Sequence, residues 1–299
     1  MNMVHTQIHI PHALLREYVL SIGIRTFDCG EQDFYKPMHA QHEIHMMFMI
    51  NCKIHDFVNL ASSEKMVILK KGSTPDFGFS GLLTSLKGSL HFKGHVQLLV
   101  IHFKPTGFYK LFGIPPSELT DRLGDADDLI SKETLELHEQ LHEAKSAVEM
   151  FQLTESFLLA SLNKSRIKAL GLEKATSFMV SQPAIYSVEE LAYHSNMSLK
   201  TFERKFIQQV GLSPKLFARI RRFNLALDLK TYQPSLNWLD ICYQTGYYDP
   251  MHMIKDFKKF AGSSPTILFK DAPPVYENIS LYPAPSGQQN SPRALPFVT

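Results

Sequence analysis

Ser187-Val188-Glu189-Glu190-Leu191-Ala192-Tyr193 and Asn237-Trp238-Leu239-Asp240-Ile241-Cys242-Tyr243 are two versions of one segment, 50 residues apart. The likeness continues downstream at a spacing of 51. There Phe202 to Phe206 and Gly211-Leu212-Ser213-Pro214 pair with Met253 to Phe257 and Gly262-Ser263-Ser264-Pro265. Two copies are too few for a solenoid and fit a module that acts in pairs. In the first copy Ser187 and Glu190 have capping-box spacing, and Val188, Leu191 and Ala192 give a short helix an apolar stripe. Ser195-Asn196-Met197 reads as a turn, and Ser198 caps a second helix. That helix buries Phe202 and Phe206, turns Lys200, Arg204 and Gln208 outward, and ends at Gly211. Ser213-Pro214 then restarts a helix with proline at its first position, where the missing N–H costs nothing. In the second copy Asn237 caps, Gly246 turns, and Asp249-Pro250 starts a helix with Met253 and Phe257 inward. Gly262 stops that helix and Ser264-Pro265 repeats the restart. Each copy is therefore expected to be a helix–turn–helix. Between them Pro214 to Lys230 reads as one helix with the stripe Leu216, Phe217, Ile220, Phe223 and Leu227. At ~1.5 Å per residue it spans about 25 Å, a strut able to set two helices near the ~34 Å repeat of one DNA turn.

Charge supports that reading. The chain has 299 residues and a net charge of +2, which looks uninformative. Residues 1–163 hold 14 Lys and Arg against 19 Asp and Glu, whereas residues 164–271 hold 16 against 9. The near-neutral total is a cancellation between an acidic first half and a basic block, and the basic block is the part that repeats. An anionic partner for that block follows. The composition, 44% hydrophobic and 20% charged, excludes a disordered or collagen-like chain. The longest apolar run of note, Met46 to Ile50, is far short of the ~20 residues of a membrane helix. Residues 1–11 lack the apolar stretch of a signal peptide. Three scattered cysteines, Cys29, Cys52 and Cys242, point to a reducing cytoplasm without a disulfide framework.

The stretch from Ser187 to Lys270 resembles the DNA-binding domain of the AraC/XylS family of bacterial transcription regulators. The most diagnostic residues are Asp240-Ile241-Cys242, Gly246-Tyr247-Tyr248-Asp249 and Phe257-Lys258-Lys259-Phe260-Ala261-Gly262-Ser263-Ser264-Pro265. The resemblance covers about a third of the chain. Met251, Met253 and Lys255 depart from it, and lysine supplies a flexible point charge where that family usually has the planar fork of arginine. By this similarity, base-edge contacts fall to Lys200, Thr201, Glu203 and Arg204 in the first unit and to Pro250, Met251, His252 and Lys255 in the second. Arg204 suits guanine, Glu203 a cytosine amine, and Pro250 and Met251 a thymine methyl. The first helix is thus expected to carry more discrimination, the second more affinity and indirect readout. Ser198, Lys205, Lys258 and Lys259 are expected on phosphates.

The first half reads as strands followed by helices, a small barrel or sandwich with a helical flank. Strands are expected near Leu20–Phe27, Glu43–Ile50, Phe57–Leu60, Lys65–Lys70, Leu82–Leu86 and Val96–Phe103. Helices are expected at Gly107–Phe112, Pro116–Thr120, Lys132–Ala144, Val148–Leu162 and Ile167–Val180. The resemblance implies a cupin-like effector-binding barrel with helices used for dimerisation. The expected fold class is therefore α+β. A cupin-like β-barrel with a helical flank precedes an all-α domain of two helix-turn-helix units joined by a long helix. The expected domains are 1–163 for sensing and dimerisation, 164–270 for DNA binding, and 271–299 as a Pro-rich tail.

Histidines are numerous in the first half. On a strand, His39 and His42 would face opposite sides while His39 and His45 share one, and His91, His95 and His102 fall on strands expected to be adjacent. The His-x-His pair of metal-binding cupins does not occur, so no metal and no cofactor are expected. No Gly-x-Ser-x-Gly, Walker A or His-Glu-x-x-His motif points to catalysis. The apolar face of Leu137, Leu141, Val148, Phe151, Phe157 and Leu158 reads mostly as intramolecular packing. The expected function is a cytoplasmic, sequence-specific transcription regulator reading two successive major grooves. Its expected partners are double-stranded promoter DNA, RNA polymerase, a small-molecule effector and a second copy of the chain. Two alternatives stand beside it: a cupin-type metalloenzyme fused to a DNA-binding module, and an effector-free regulator controlled by a protein partner.

Overall fold

Leu98 to Phe103 is apolar at every position but one, and the fold buries both faces of the strand that contains it. In this computed structural model, which describes residues 5–32, 34–50, 56–58, 77–122, 131–167, 171–182 and 187–270, that strand is β8 (His95–Phe103). It lies between β2 (Val19–Asp28) and β4 (His45–Met49) in a five-stranded antiparallel sheet. The outer members are β1 (His5–His9) beside β2 and β6 (Phe77–Ser80) beside β4. A second antiparallel sheet is formed by β3 (Phe34–Pro37), β7 (Ser89–Phe92) and β5 (Asp56–Val58), with β7 in the middle. Alternation then assigns the side chains. Ile22, Ile24, Met46, Phe48, Leu99, Ile101 and Phe103 join the core shared with the helices, while Phe27, Met49, Leu98 and Val100 pack with Leu90 and Phe92 of the second sheet.

The helices cover the first face. They are α1 (Gly107–Phe112), α2 (Lys132–Glu143) and α3 (Ala147–Lys164). Phe103, Phe108 and Phe112 stack edge-on or tilted at 5.1–5.8 Å, and Phe112 reaches Phe157 of α3. Leu137, Leu141, Phe151 and Leu158 are buried in this core and Phe157 packs against it, whereas Val148 is 64% exposed. The face is thus mostly intramolecular.

The C-terminal part is helical throughout: α4 (Glu173–Ser181), α5 (Val188–His194), α6 (Leu199–Val210), α7 (Pro214–Tyr232), α8 (Trp238–Gln244), α9 (Pro250–Ala261) and α10 (Pro265–Leu268). The capping box of Ser187 and Glu190 is complete, and Ser198, Ser213, Asn237 and Asp249 each accept a backbone N–H at a helix start. Gly211 and Gly262 end α6 and α9 in the left-handed conformation. Asn196 (φ 53°) and Gly246 (φ 77°) make the equivalent turns of the two units. Phe202, Phe206, Phe217, Phe223, Phe257 and Phe260 are fully buried. The architecture is α+β, as expected. No helix among the described residues is long and apolar enough to cross a membrane.

Several sequence expectations need correction. Leu82–Leu86 is not a strand: Leu83 forms a single bridge with Gln41, and Leu82 plugs against Gly211. The helix expected over Ile167–Val180 begins only at Glu173, because Gly171 holds φ at +75°. Pro116–Glu118 is one 3-10 turn. His95 and His102 share β8, while His91 is in the other sheet. His39 and His42 lie before β4, outside regular strand, so alternation does not govern them. The strand expected at Lys65–Lys70, Cys52 and the tail 271–299 lie outside the described residues.

The two halves are packed together. Gly211 has φ +90°, and a Cβ there would lie 2.6 Å from Leu82 Cδ1 and 2.8 Å from the Pro116 carbonyl carbon. Gly211→Ala is therefore expected to cost about 1–3 kcal/mol of stability, read as a lowered denaturant midpoint. A midpoint equal to wild type would contradict this close approach.

Candidate functional site

Two features have the geometry of function: an outward face on the two helix-turn-helix units and a cavity in the β region. Helices α6 and α9 bury one side each, Phe202 and Phe206 in the first and Met253, Phe257 and Phe260 in the second. Their opposite sides carry the expected contact residues. Lys200, Glu203 and Arg204 are exposed at the N-terminal half of α6, and Thr201 is half-buried. Met251, His252, Lys255, Lys258 and Lys259 are exposed on α9, and Pro250 and Lys205 are half-buried. Lys200, Arg204, Lys255 and Lys258 enter no ion pair among the described residues, so their charge faces outward.

Other members of the set are engaged. The Ser198 hydroxyl accepts from the Thr201 N–H and donates to Thr201 Oγ1 at 2.9 Å, so both are occupied as a cap. His252 Nδ1 lies 3.2 Å from Asp249 Oδ2, which leaves its Nε2 outward. Tyr193, Tyr243 and Tyr248 of the same two units are more than 60% exposed, and the Tyr248 ring lies 6.4 Å from that of His252. The far end of α6 is held by the other half of the chain: Gln208 Nε2 donates to the Tyr109 hydroxyl at 3.2 Å, and the Thr120 hydroxyl donates to the Gly211 carbonyl.

The connecting helix α7 ties the two units together and to the β region. Arg219 forms an ion pair with the buried Asp256 of α9 and lies over the Phe260 ring. On another side, Arg221, Asn224 and Asp228 are buried, an unusual polar row in an otherwise apolar interior. Arg221 Nε donates to the Val180 carbonyl at 2.8 Å, with Asp228 3.9 Å away. Asn224 Nδ2 donates to the Ala40 carbonyl at 2.8 Å, and Asn224 Oδ1 accepts from His42 Nδ1 at 2.8 Å. An amide oxygen only accepts, so Nδ1 of His42 carries the proton. The Ala40 N–H also donates to the Phe260 carbonyl at the end of α9.

Behind this contact is a cavity of about 120 Å³. Its apolar wall comes from both sheets and includes Phe27, Phe34, Met49, Leu90, Phe92 and Leu98. Its polar end holds Arg25, Lys36, His39, His42, Glu43, His45 and His102, and Asn224 and Asp228 of α7 close one side. Burial pushes Lys36 down to about 8, with the nearby Arg25 charge adding to the shift. Burial likewise pushes His39, His42 and His102 down to about 4. Burial alone would raise Glu43, but its contacts with the His102 and His45 imidazoles outweigh that and hold the carboxyl well below its ordinary range. The site therefore presents neutral imidazoles, one carboxylate and two basic groups to a mostly apolar space. Sequence reasoning named all four of these histidines, but not Arg25, Lys36, Glu43 or the polar row of α7. That row did leave a signal: Arg221, Asn224 and Asp228 fall at spacings of three and four, on one helical face.

The model of a helix-turn-helix domain matches residues 191–271, and that of a domain of unknown function (DUF6597) matches residues 7–125. No curated protein matches the sequence. Among solved structures, ToxT from Vibrio cholerae O395 is similar over 82% of this chain and 96% of its own, at 10% identity and a TM-score of 0.42. Wild-type ToxT from Vibrio cholerae strain SCE256 with unsaturated fatty acid bound is similar over 87% of this chain and 97% of its own, at 9% identity and a TM-score of 0.40.

The buried imidazole of His39 generates a pH prediction. It is held neutral down to about pH 4, against an ordinary value of 6.5. Between those limits the unfolded chain takes up a proton that the folded chain refuses, so its contribution is complete above pH 6.5 and is lost as pH falls toward 4. His39→Leu is expected to flatten the fall in denaturant midpoint between pH 6.5 and 4. An unchanged slope would contradict a neutral His39.

Proposed function

We propose that residues 191–271, which match a helix-turn-helix domain, are the AraC-type DNA-binding part of a sequence-specific regulator of transcription whose two units read successive major grooves. The observation that carries this reading is the pair of capped helices, α6 and α9, each with aromatic residues inward and cationic residues outward. The major groove admits one α-helix, whose N-terminal residues reach base edges. In α6 these are Lys200, Thr201, Glu203 and Arg204, with Arg204 reading guanine and Glu203 accepting from a cytosine amine. In α9 they are Pro250, Met251, His252 and Lys255, a set better suited to a thymine methyl and to shape than to a hydrogen-bond code. Lys205, Lys258 and Lys259 serve phosphates, and Ser198 does so only by giving up part of its cap. The connecting helix α7, 19 residues and about 28 Å long, sets the spacing.

The domains follow the charge split: 1–163 for sensing, 164–270 for DNA, and 271–299 as an extension. A small effector occupies the cavity. Its apolar wall and the paired positive groups Arg25 and Lys36 suit an apolar molecule with an anionic end, which would relieve the repulsion between the buried Arg25 and the half-buried Lys36. Because Asn224 and Asp228 belong both to the cavity wall and to α7, an occupant that favours one arrangement of this wall shifts the balance of DNA-binding states. RNA polymerase and a second copy of the chain are the further partners of such a regulator at a promoter.

Selection of bound duplexes from a random pool, followed by footprinting, tests the reading. Two half-elements about one helical turn apart are expected, and binding without sequence preference would overturn it. On the selected duplex, Arg204→Ala is expected to cost about 1–3 kcal/mol and to relax preference at one base pair; equal weakening on cognate and random duplexes would remove Arg204 from base reading. Lys258→Ala with Lys259→Ala is expected to weaken all duplexes alike and to reduce the slope of log K against log salt by about 2. An unchanged salt slope would take these lysines off the phosphates.

A further inference from the structure

The polar end of the cavity brings a carboxylate and two imidazoles to one point. His45 of β4 and His102 of β8 are directly paired across adjacent strands, and both line the cavity. Their ring centroids are 4.3 Å apart at an interplanar angle of 62°. Glu43, two residues before His45, places Oε2 3.0 Å from His45 Nε2 and 3.8 Å from His102 Nδ1. One ligand atom from each of the three lies within 4.8 Å of the others. We propose that Glu43, His45 and His102 form a binding site for a divalent transition-metal ion of the zinc class.

The spacing fits the ion. A metal about 2.0–2.2 Å from each donor in tetrahedral geometry sets the donors roughly 3.3 Å apart, and the observed 3.0 and 3.8 Å straddle that value. Small rotamer adjustments close the rest. The chemistry of the donor set also selects the ion. Two imidazole nitrogens and one carboxylate oxygen suit zinc and its neighbours, whereas calcium and magnesium take all-oxygen shells. A three-ligand protein set leaves a fourth position, and the cavity is where that position opens.

Two further observations point the same way. Glu43 is buried, and its ion pairs among the described residues are with the imidazoles of His42, His45 and His102. His102 is 1% exposed; its Nδ1 has only the long 3.8 Å contact with Glu43, and its Nε2 has no hydrogen-bond partner among the described residues. Buried polar groups are normally satisfied, so an imidazole left this way calls for a ligand. The other Glu43 oxygen lies 3.5 Å from Nε2 of His42, the residue that holds Asn224 of α7. An ion drawing on Glu43 would therefore act one imidazole away from the connecting helix. That consequence rests on the regulatory reading above; the binding of the ion does not.

The test reads ion binding without DNA. Tag-free full-length protein, stripped with chelator, is titrated with Co²⁺ and followed by visible absorption, with Zn²⁺ as competitor. The surface pair His138 and His142, with Nε2 atoms 2.9 Å apart, is the rival site, so H138A/H142A is the control. One Co²⁺ per chain, displaced by Zn²⁺ and retained in H138A/H142A, is the expected result, with affinity reduced at least about tenfold in E43Q and in H45Q. H45Q keeps a polar side chain of similar reach at the cavity edge, and its thermal midpoint without metal verifies folding. No saturable Co²⁺ binding below millimolar concentration would overturn the proposal. So would binding that is lost in H138A/H142A but kept in E43Q and H45Q.

Discussion

The side chain of Asn224 holds the two halves of this protein to each other. Its amide nitrogen donates to the Ala40 carbonyl and its oxygen accepts from His42, both at 2.8 Å and both buried. A buried polar group left without its partner costs about 1–3 kcal/mol, so this contact either forms completely or resists forming at all. It fixes where the segment before β4 lies against α7. It also fixes the proton of His42 on Nδ1. Every other contact between the halves, from Gly211 against Leu82 to the Ala40 N–H on the Phe260 carbonyl, is consistent with that one placement.

Two consequences follow from the same constraint. The middle of the five-stranded sheet is buried on both faces, with helices on one side and the second sheet on the other, and α7 helps to close the cavity between the sheets. The connecting helix in turn carries the buried Asn224 and Asp228 toward the cavity, Arg221 toward the Val180 carbonyl and Arg219 toward Asp256 of α9. One rigid helix is thus part of a pocket wall and the spacer between α6 and α9. Coupling between sites needs an element that both sites bias, and α7 meets that physical requirement.

Much of the DNA-binding half is legible in the sequence because its signals are local. Ser187 with Glu190, Ser198, Ser213-Pro214, Gly211 and Gly262 specify helix ends through caps and left-handed backbone, and the repeat doubles each signal. The β half is less legible, for physical reasons. β1, β3 and β7 are four or five residues long and carry His, Gln, Lys or Ser among their apolar positions, so they have little periodicity of their own and exist through pairing. Leu82 and Leu83 look like a strand but are apolar because they fill space against α6 and the second sheet. The histidine cluster escaped a spacing argument because His39 and His42 lie outside regular strand, while the closeness of His45 and His102 is a matter of register between β4 and β8. No local pattern encodes a pairing between residues 57 positions apart.

On the proposed reading, the cavity and the outward faces of α6 and α9 communicate through α7. The most direct measurement is the equilibrium affinity of the full chain for its selected duplex, compared between wild type and Asn224→Ala at one salt concentration, with folding verified by circular dichroism. Asn224 is buried and lies outside the proposed DNA-reading faces of α6 and α9, so a direct contact would not explain an effect. The account predicts a change of about fivefold or more, corresponding to a coupling of at least about 1 kcal/mol. Equal affinities for a folded variant would contradict it.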